Sequence, residues 1–365
     1  MRRAFNLILA LVLLVGVGFA IFSSVRQRSD ASRPAPLALV RGVIGSEKEP
    51  FFRDPAVVAA FSRNGLKLQV DTAGSREIAT TFDLAAYDFA FPAGVPAADK
   101  IKRDRKVVTV YQPYFTPIAV ATFKPIAGVL QKAGLAKPLG SDYWTLDMKA
   151  YLALVGKRTR WTDLPGNTAY RPGKSVLIAS TDVRTSNSAA MYLAIASYVA
   201  NGDTPVENNT QGDKIVDRVA PLFLRQGLQE SSTEGPFEDY LTIGSGKTPM
   251  ALIYEAQFLA RKAAKDGSIT DDRVLMYPDP TVFTKHTLVP LKPNGDTVGK
   301  LLTTDPELKR LAVKYGFRTA DAAATRRYLA ERGVPTPPDL VQVVEPPAYD
   351  ALEHLIVRIQ KLYQA

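Results

Sequence analysis

The sequence predicts an α/β protein whose mostly parallel sheets are covered by helices on both faces, and three observations predict it. From about residue 39 onward, short apolar or β-branched runs alternate with amphipathic segments, the order that yields parallel strands joined by helical crossovers. Two of those runs end in the same device, a Gly-Ser turn leading toward a helix, at Gly45-Ser46 and Gly74-Ser75. The chain has 365 residues, 46% of them hydrophobic, enough for two lobes with separate cores.

Ahead of the folded part, Arg2 and Arg3 precede an apolar run from Phe5 to Phe22 broken only by Asn6, and Arg26 and Arg28 restore polarity. Residues 1–28 therefore read as an export signal. As a helix the run spans about 27 Å, close to the hydrocarbon core of a bilayer, which favours an uncleaved single-pass anchor. Cleavage is the alternative, since Gly18-Phe19-Ala20 and Ser29-Asp30-Ala31 both place small residues at the required spacing. Residues 29–38, "SDASRPAPLA", have linker composition.

The elements then follow in order. Leu39–Ile44 reads as a strand, and Pro55 opens a helix closed by Gly65. Leu66–Val70 alternates as a strand does, and "GSREIATTF" continues as a helix. Tyr87–Phe91 is a third strand; a fourth starts at Lys106 and runs past Pro113 and Pro117 to Phe123. Helices are expected near 125–133 and 146–155, then a strand-turn-helix in "VLIASTDVRTSNSAAMYLAIASYV", residues 176–199, with its N-cap at Thr185 or Ser186. Another helix covers 212–224. Met250–Tyr254 reads as a buried strand feeding a helix closed by Gly267, with further strands at 273–277 and 287–291. Four helices end the chain, near 296–303, 306–315, 320–331 and 348–363.

Composition excludes several chemistries. With no cysteine, disulfides, thiolate metal sites, a catalytic thiol and a lipid-modified N-terminus are impossible. The two histidines, His286 and His354, have no zinc-ligand spacing, and no cofactor is expected. The net charge of +10 is spread along the chain instead of forming a basic tract with aromatics, which argues against nucleic acid and leaves an anionic ligand or membrane surface. "IGSGKT" lacks the first glycine of a phosphate loop, Leu241 standing there, and it precedes a strand instead of following one. No GxSxG is present.

What remains is a recurrence. Gly45-Ser46, Gly74-Ser75-Arg76 and Thr185-Ser186-Asn187-Ser188 each place small hydroxyl or amide residues where a strand candidate gives way to a helix. In open α/β sheets ligands sit there, and helix N-termini offer unpaired N–H groups and partial positive charge to an oxyanion. The same residues are also the ordinary N-caps of helices. Lys48 either adds charge for a larger anion or faces solvent beside Glu47. Glu255 reads as a first-turn acid or a site carboxylate, and Tyr254 at the strand end could donate its hydroxyl to a ligand.

The succession "GVIGSEKEPFF", "VDTAGSREIA", "YDFAFPAG", "VLIASTDVRTSNSAAMYLA", "MALIYEAQFL", "VLMYPDPTVFTKHTLVPL" and "DPELKRLAVKYGFR" resembles bacterial extracellular solute-binding proteins of the type II periplasmic binding fold, nearest the molybdate- and sulfate-type oxyanion binders. The resemblance covers about 39–330. It implies a first lobe of 39–113 plus 283–365 and a second of 118–277, with hinge crossings near 111–118 and 277–283, and a ligand closed between the two. Carried over to this sequence, Ser46 and Ser75, beside Gly45 and Gly74, would serve from the first lobe; the charged segment after the first loop departs from the family's pattern, and Lys48 and Arg76 could add charge there for a larger anionic ligand. Thr181, Ser186, Asn187, Ser188 and Tyr254 would serve from the second. The implied function is capture of a small anionic solute, an oxyanion or a compound bearing carboxylate or phosphate, for an ABC-type transporter permease, without catalysis. The protein would sit in the cell membrane with its folded part extracytoplasmic, or be secreted or periplasmic after cleavage. Two alternatives stand beside it: an envelope sensor or accessory protein on the same fold with a membrane-protein partner, and an exported transferase or hydrolase using Asp182 or Glu255.

Overall fold

The computed structural model describes residues 36–364 apart from Leu228 and Val341. The expected signal or anchor helix, and the linker up to residue 35, lie outside the described residues. Among those described, no helix is long and apolar enough to cross a membrane.

Nine strands form one connected sheet system: β1 (Ala38–Ile44), β2 (Leu66–Thr72), β3 (Phe89–Phe91), β4 (Tyr111–Phe123), β5 (Ala136–Pro138), β6 (Tyr143–Asp147), β7 (Met250–Tyr254), β8 (Arg273–Asp279) and β9 (Phe283–Pro290). Their spatial order is β2-β1-β3-β9-β4-β8-β6-β5, with β7 also on β4. The long strand β4 belongs to two half-sheets. Tyr111–Pro117 pairs with β9, whereas Ile118–Phe123 pairs with β7 and β8.

The expectation of a mostly parallel sheet needs correction, because the arrangement is mixed. β1–β2, β1–β3 and β6–β8 are parallel, and every pairing of β4, together with β3–β9 and β5–β6, is antiparallel. The reason is connectivity. The chain passes between the half-sheets once along β4 and returns along β8 and β9, and a segment lying beside its own return path is antiparallel to it.

Helices cover both faces of the first half-sheet. Val40 and Ile44 of β1 pack with Phe51, Phe52, Phe61, Val298 and Leu311, while Val43 turns to the other face with Ile78, Ile101 and Val289. That alternation is the two-residue period of a strand. Gly42 is glycine because the Phe89 ring lies over it: a Cβ there would come within 2.1 Å of Cζ. In the second half the Asn187–Ala200 helix is buried at every position but Tyr198, as an apolar helix without a polar face must be.

Three local expectations change. The fourth strand begins at Tyr111, because Lys106 is the left-handed residue (φ 54°) that ends a helix over Val95–Arg105. Residues 176–180 form a single bridge, Ala179 to Ala251, and the Ser180 N–H is taken by the Gln226 side chain instead of a strand partner. Finally, 283–365 does not belong wholly to the first half. The last helix, Tyr349–Leu362, sinks Leu352, Leu355, Ile356 and Ile359 into the second half's core. Its polar side is tied to the first half through Arg76–Glu353 and Arg103–Asp350.

Candidate functional site

Where the half-sheets meet, five chain segments converge on one small cleft. It is lined by Gly45, Ser46, Glu47, Gly74, Ser75, Ser186, Asn187, Ser188, Tyr254 and the run Ser231–Thr233. Eight of the eleven expected residues are therefore brought together. The other three, Lys48, Arg76 and Thr181, lie outside the lining.

Each lining residue is placed by its element. β1 is followed by Gly45 and a short 3-10 turn over Ser46–Lys48; β2 leads through Gly74 into the Ser75–Thr80 helix. Neither glycine has a positive φ, so any requirement for glycine is one of space, and it is strict at Gly74, which faces backbone. A Cβ on Gly45 would meet Glu47 Oε1 at 2.6 Å, and one on Gly74 would meet the Thr185 carbonyl oxygen of the opposite half at 2.2 Å. From the second half, Ser186 is the N-cap of the Asn187–Ala200 helix, but its hydroxyl makes no capping bond. It joins Ser188 Oγ at 2.9 Å, and Ser188 Oγ also meets Thr181 Oγ1 at 2.7 Å. Thr181 is thus a buried support behind the cleft.

One of the cleft's polar contacts crosses it, and two others hold its walls. Ser46 Oγ lies 3.0 Å from Ser232 Oγ. Asn187 Nδ2 donates to the Tyr254 hydroxyl at 3.2 Å, leaving the tyrosine proton free to donate onward. Burial and the nearby Glu47 charge push the Tyr254 hydroxyl well above its usual range, so it stays protonated. The Ala93 N–H donates to Ser75 Oγ at 2.9 Å, leaving that hydroxyl's proton free as well. The remaining space is about 10 Å³, roughly one water.

Under this floor lies an ionic cluster that sequence reasoning missed. Lys48, expected to face either ligand or solvent, is fully buried, and its ammonium is paired with Glu47. It lies 3.2 Å from His286 Nδ1 and 4.8 Å from the centre of the Phe91 ring. Burial would raise the Glu47 carboxyl, but the Lys48 charge and the His286 hydrogen bond outweigh it and hold it at about 2. Burial and Lys48 together push His286 down to about 4. Burial lowers the Lys48 ammonium from its usual value against the opposing pull of Glu47; at neutral pH the Glu47 carboxyl is ionised and the imidazole is neutral.

Arg76 points away from the cleft. Its guanidinium forms a fork with Glu353 and donates to the Arg184 carbonyl at 2.9 Å. Glu255 is likewise committed: Arg318 donates to both its oxygens at 2.7 and 2.6 Å, and the Tyr277 hydroxyl donates at 2.6 Å. The Asp182 carboxylate holds Arg184. Among the described residues no group of side chains is arranged as a metal site.

No family model matches this chain, and no curated protein sequence does. Solved structures match in fold. The sulfate-binding protein SubI from Mycobacterium tuberculosis H37Rv aligns with a TM-score of 0.53 at 16% identity, over 87% of this chain and 96% of that one. The periplasmic binding protein AfuA from Actinobacillus pleuropneumoniae, with fructose-6-phosphate bound, gives 0.52 at 13% identity over 89% and 98%. Apo ferric ion-binding protein A from Pasteurella haemolytica gives 0.51 at 10% identity over 89% and 96%. The chain therefore has the type II periplasmic binding protein fold. At these identities the likeness is one of fold alone, and because those proteins bind chemically different solutes, a ligand has to be argued from this chain's own residues.

Proposed function

We propose that this protein is a non-catalytic, extracytoplasmic solute-binding protein, held to the membrane by its N-terminal segment, that captures a small anion and presents it to an ABC-type permease. The observation that carries this reading is convergence: loops and helix starts bearing Ser46, Ser75, Ser186, Ser188 and Ser232 reach one cleft from both half-sheets. Hydroxyl protons, the Tyr254 hydroxyl and the unpaired N–H groups of helix first turns are donors suited to oxyanion oxygens. The sulfate and fructose-6-phosphate named for two structures of the same fold agree with such a cleft.

In this reading the half-sheets are two lobes, 39–113 with 283 to about 340, and 118–277, hinged where β4 and the β8–β9 return pass between them. Opening breaks the Ser46–Ser232 contact and admits the ligand. Because a ligand that binds only the folded state raises its stability, an anion at a hundredfold its Kd should add about 2.7 kcal/mol, several degrees in Tm. Melting the full-length protein with sulfate, molybdate, phosphate and sugar phosphates reads this. Ser46→Ala with Ser75→Ala should abolish the shift and, because Ser75 Oγ takes the buried Ala93 N–H, lower the unliganded Tm by a few degrees. No shift with any anion would sink the reading.

A second reading, an envelope sensor or accessory protein with a membrane-protein partner, draws support from the cleft being closed with room for roughly one water. An exported hydrolase or transferase has least support, since Arg318 and Tyr277 occupy Glu255 and Arg184 holds Asp182.

A further inference from the structure

Beside the serine-lined cleft runs a second, larger cavity of about 560 Å³, within the size range of small-molecule sites. Its walls are mainly apolar: Phe237, Tyr254, Tyr315, Phe317, Tyr328 and the alanine face of the Glu255–Ala264 helix. Most charges on its rim are answered locally. Arg261 holds Glu238 and Asp266, Lys314 holds Asp54, and Arg332 lies 3.7 Å over the Tyr328 ring.

The two spaces adjoin, with Glu47 and Tyr254 in the lining of both. Glu47 is the informative residue at that junction. Its side chain is only 7% exposed; Lys48 and His286 approach Oε1, and among the described residues nothing donates to Oε2. An ionised carboxylate is acceptor-only. That oxygen opens onto the cavity and is served by water there, so a ligand that displaces the water gains by donating to Oε2, whereas one presenting only acceptors leaves it unpaired at a cost of about 1–3 kcal/mol. Sulfate and molybdate present only acceptors.

We propose that the ligand is an organic anion: its anionic head sits among the serines, a hydroxyl or ammonium near the head donates to Glu47 Oε2, and its body lies along the aromatic groove. This rests on the reading of the cleft as an anion site and narrows it from anions in general to one class.

The test is calorimetry on the full-length protein with five probes: sulfate, inorganic phosphate, phenyl phosphate, glucose 6-phosphate and O-phospho-L-tyrosine. Phenyl phosphate has a body without a donor, whereas the last two have both. Glucose 6-phosphate or phosphotyrosine should bind at least tenfold more tightly than sulfate or phosphate, with phenyl phosphate between. Ala260→Trp, which fills the groove, should remove at least tenfold of the organic affinity and leave that of inorganic phosphate within about threefold; Tyr328→Ala should act the same way more weakly. Glu47→Gln should narrow the gap between donor-bearing probes and phenyl phosphate. The unliganded Tm of each variant reports its folding. Sulfate binding as tightly as the best organic probe, or organic affinity unmoved by Ala260→Trp, overturns the inference while the anion reading stands. Silence from all five probes overturns both.

Discussion

His286 is the residue at which composition misleads most. A chain with two histidines and no metal spacing gives no reason to single it out, yet it is fully buried against Lys48, where a second positive charge would be unsolvated. Its folded-state value of about 4 lies below the usual 6.5, and that of Glu47, about 2, lies below 4.5. In both cases the unfolded chain binds protons more readily, so stability is full above the unfolded value and is lost as pH falls through the folded one. Denaturant titrations should therefore show stability declining first between pH 6.5 and 4, from His286, and again between 4.5 and 2, from Glu47, each by a few kcal/mol. His286→Asn should flatten the upper decline only; an unchanged profile would remove His286 as its source. The glycine-serine pairs of this region were legible because they follow apolar strands. The ionic cluster was not, since "SEK" in a loop looks the same in sequence whether solvated or folded under a cleft.

At the scale of elements, Gly74 stands where one segment touches another. A methyl group there would press on the Thr185 carbonyl of the opposite half. Parting the halves relieves the clash at no cost to either core, so Gly74→Ala should weaken binding of any captured anion by tenfold or more and lower the unliganded Tm by under about 2 °C. Calorimetry with the best-binding anion and a melting curve check the two halves of that statement. Strands feeding glycine turns were readable from period and punctuation. Ser231–Thr233 escaped notice because the Glu234–Thr242 helix follows no strand, so the pattern that marks the other loops is missing. The Val95–Arg105 helix was hidden by its polarity, with Pro96, Ala97, Ala98 and Ile101 as its buried residues. β5 and β6 lack the continuous apolar run that marks the equally short β3 and β7.

For the whole molecule, what the sequence could not convey is which body each late segment joins. Amphipathic spacing in Tyr349–Leu362 announces a buried face without naming its partner. Arg318 likewise looks like a surface residue after a helix, yet it carries the buried Glu255 and bridges to Phe115 at the start of the crossing. Arg318→Met strands that carboxylate and should cost about 3–5 kcal/mol by chemical denaturation; a loss under 1 kcal/mol would mean Glu255 finds water instead. The last helix also bears on time. Its apolar side is fixed in one half while Glu353 and Asp350 pair with the other, so under the proposed function those pairs would have to separate before a ligand enters. In stopped-flow mixing, the observed association rate should climb with ligand concentration and then level off at the unlatching rate. Glu353→Gln should raise that plateau and shorten the bound lifetime together, so that the helix sets how quickly cargo is exchanged more than how much is held.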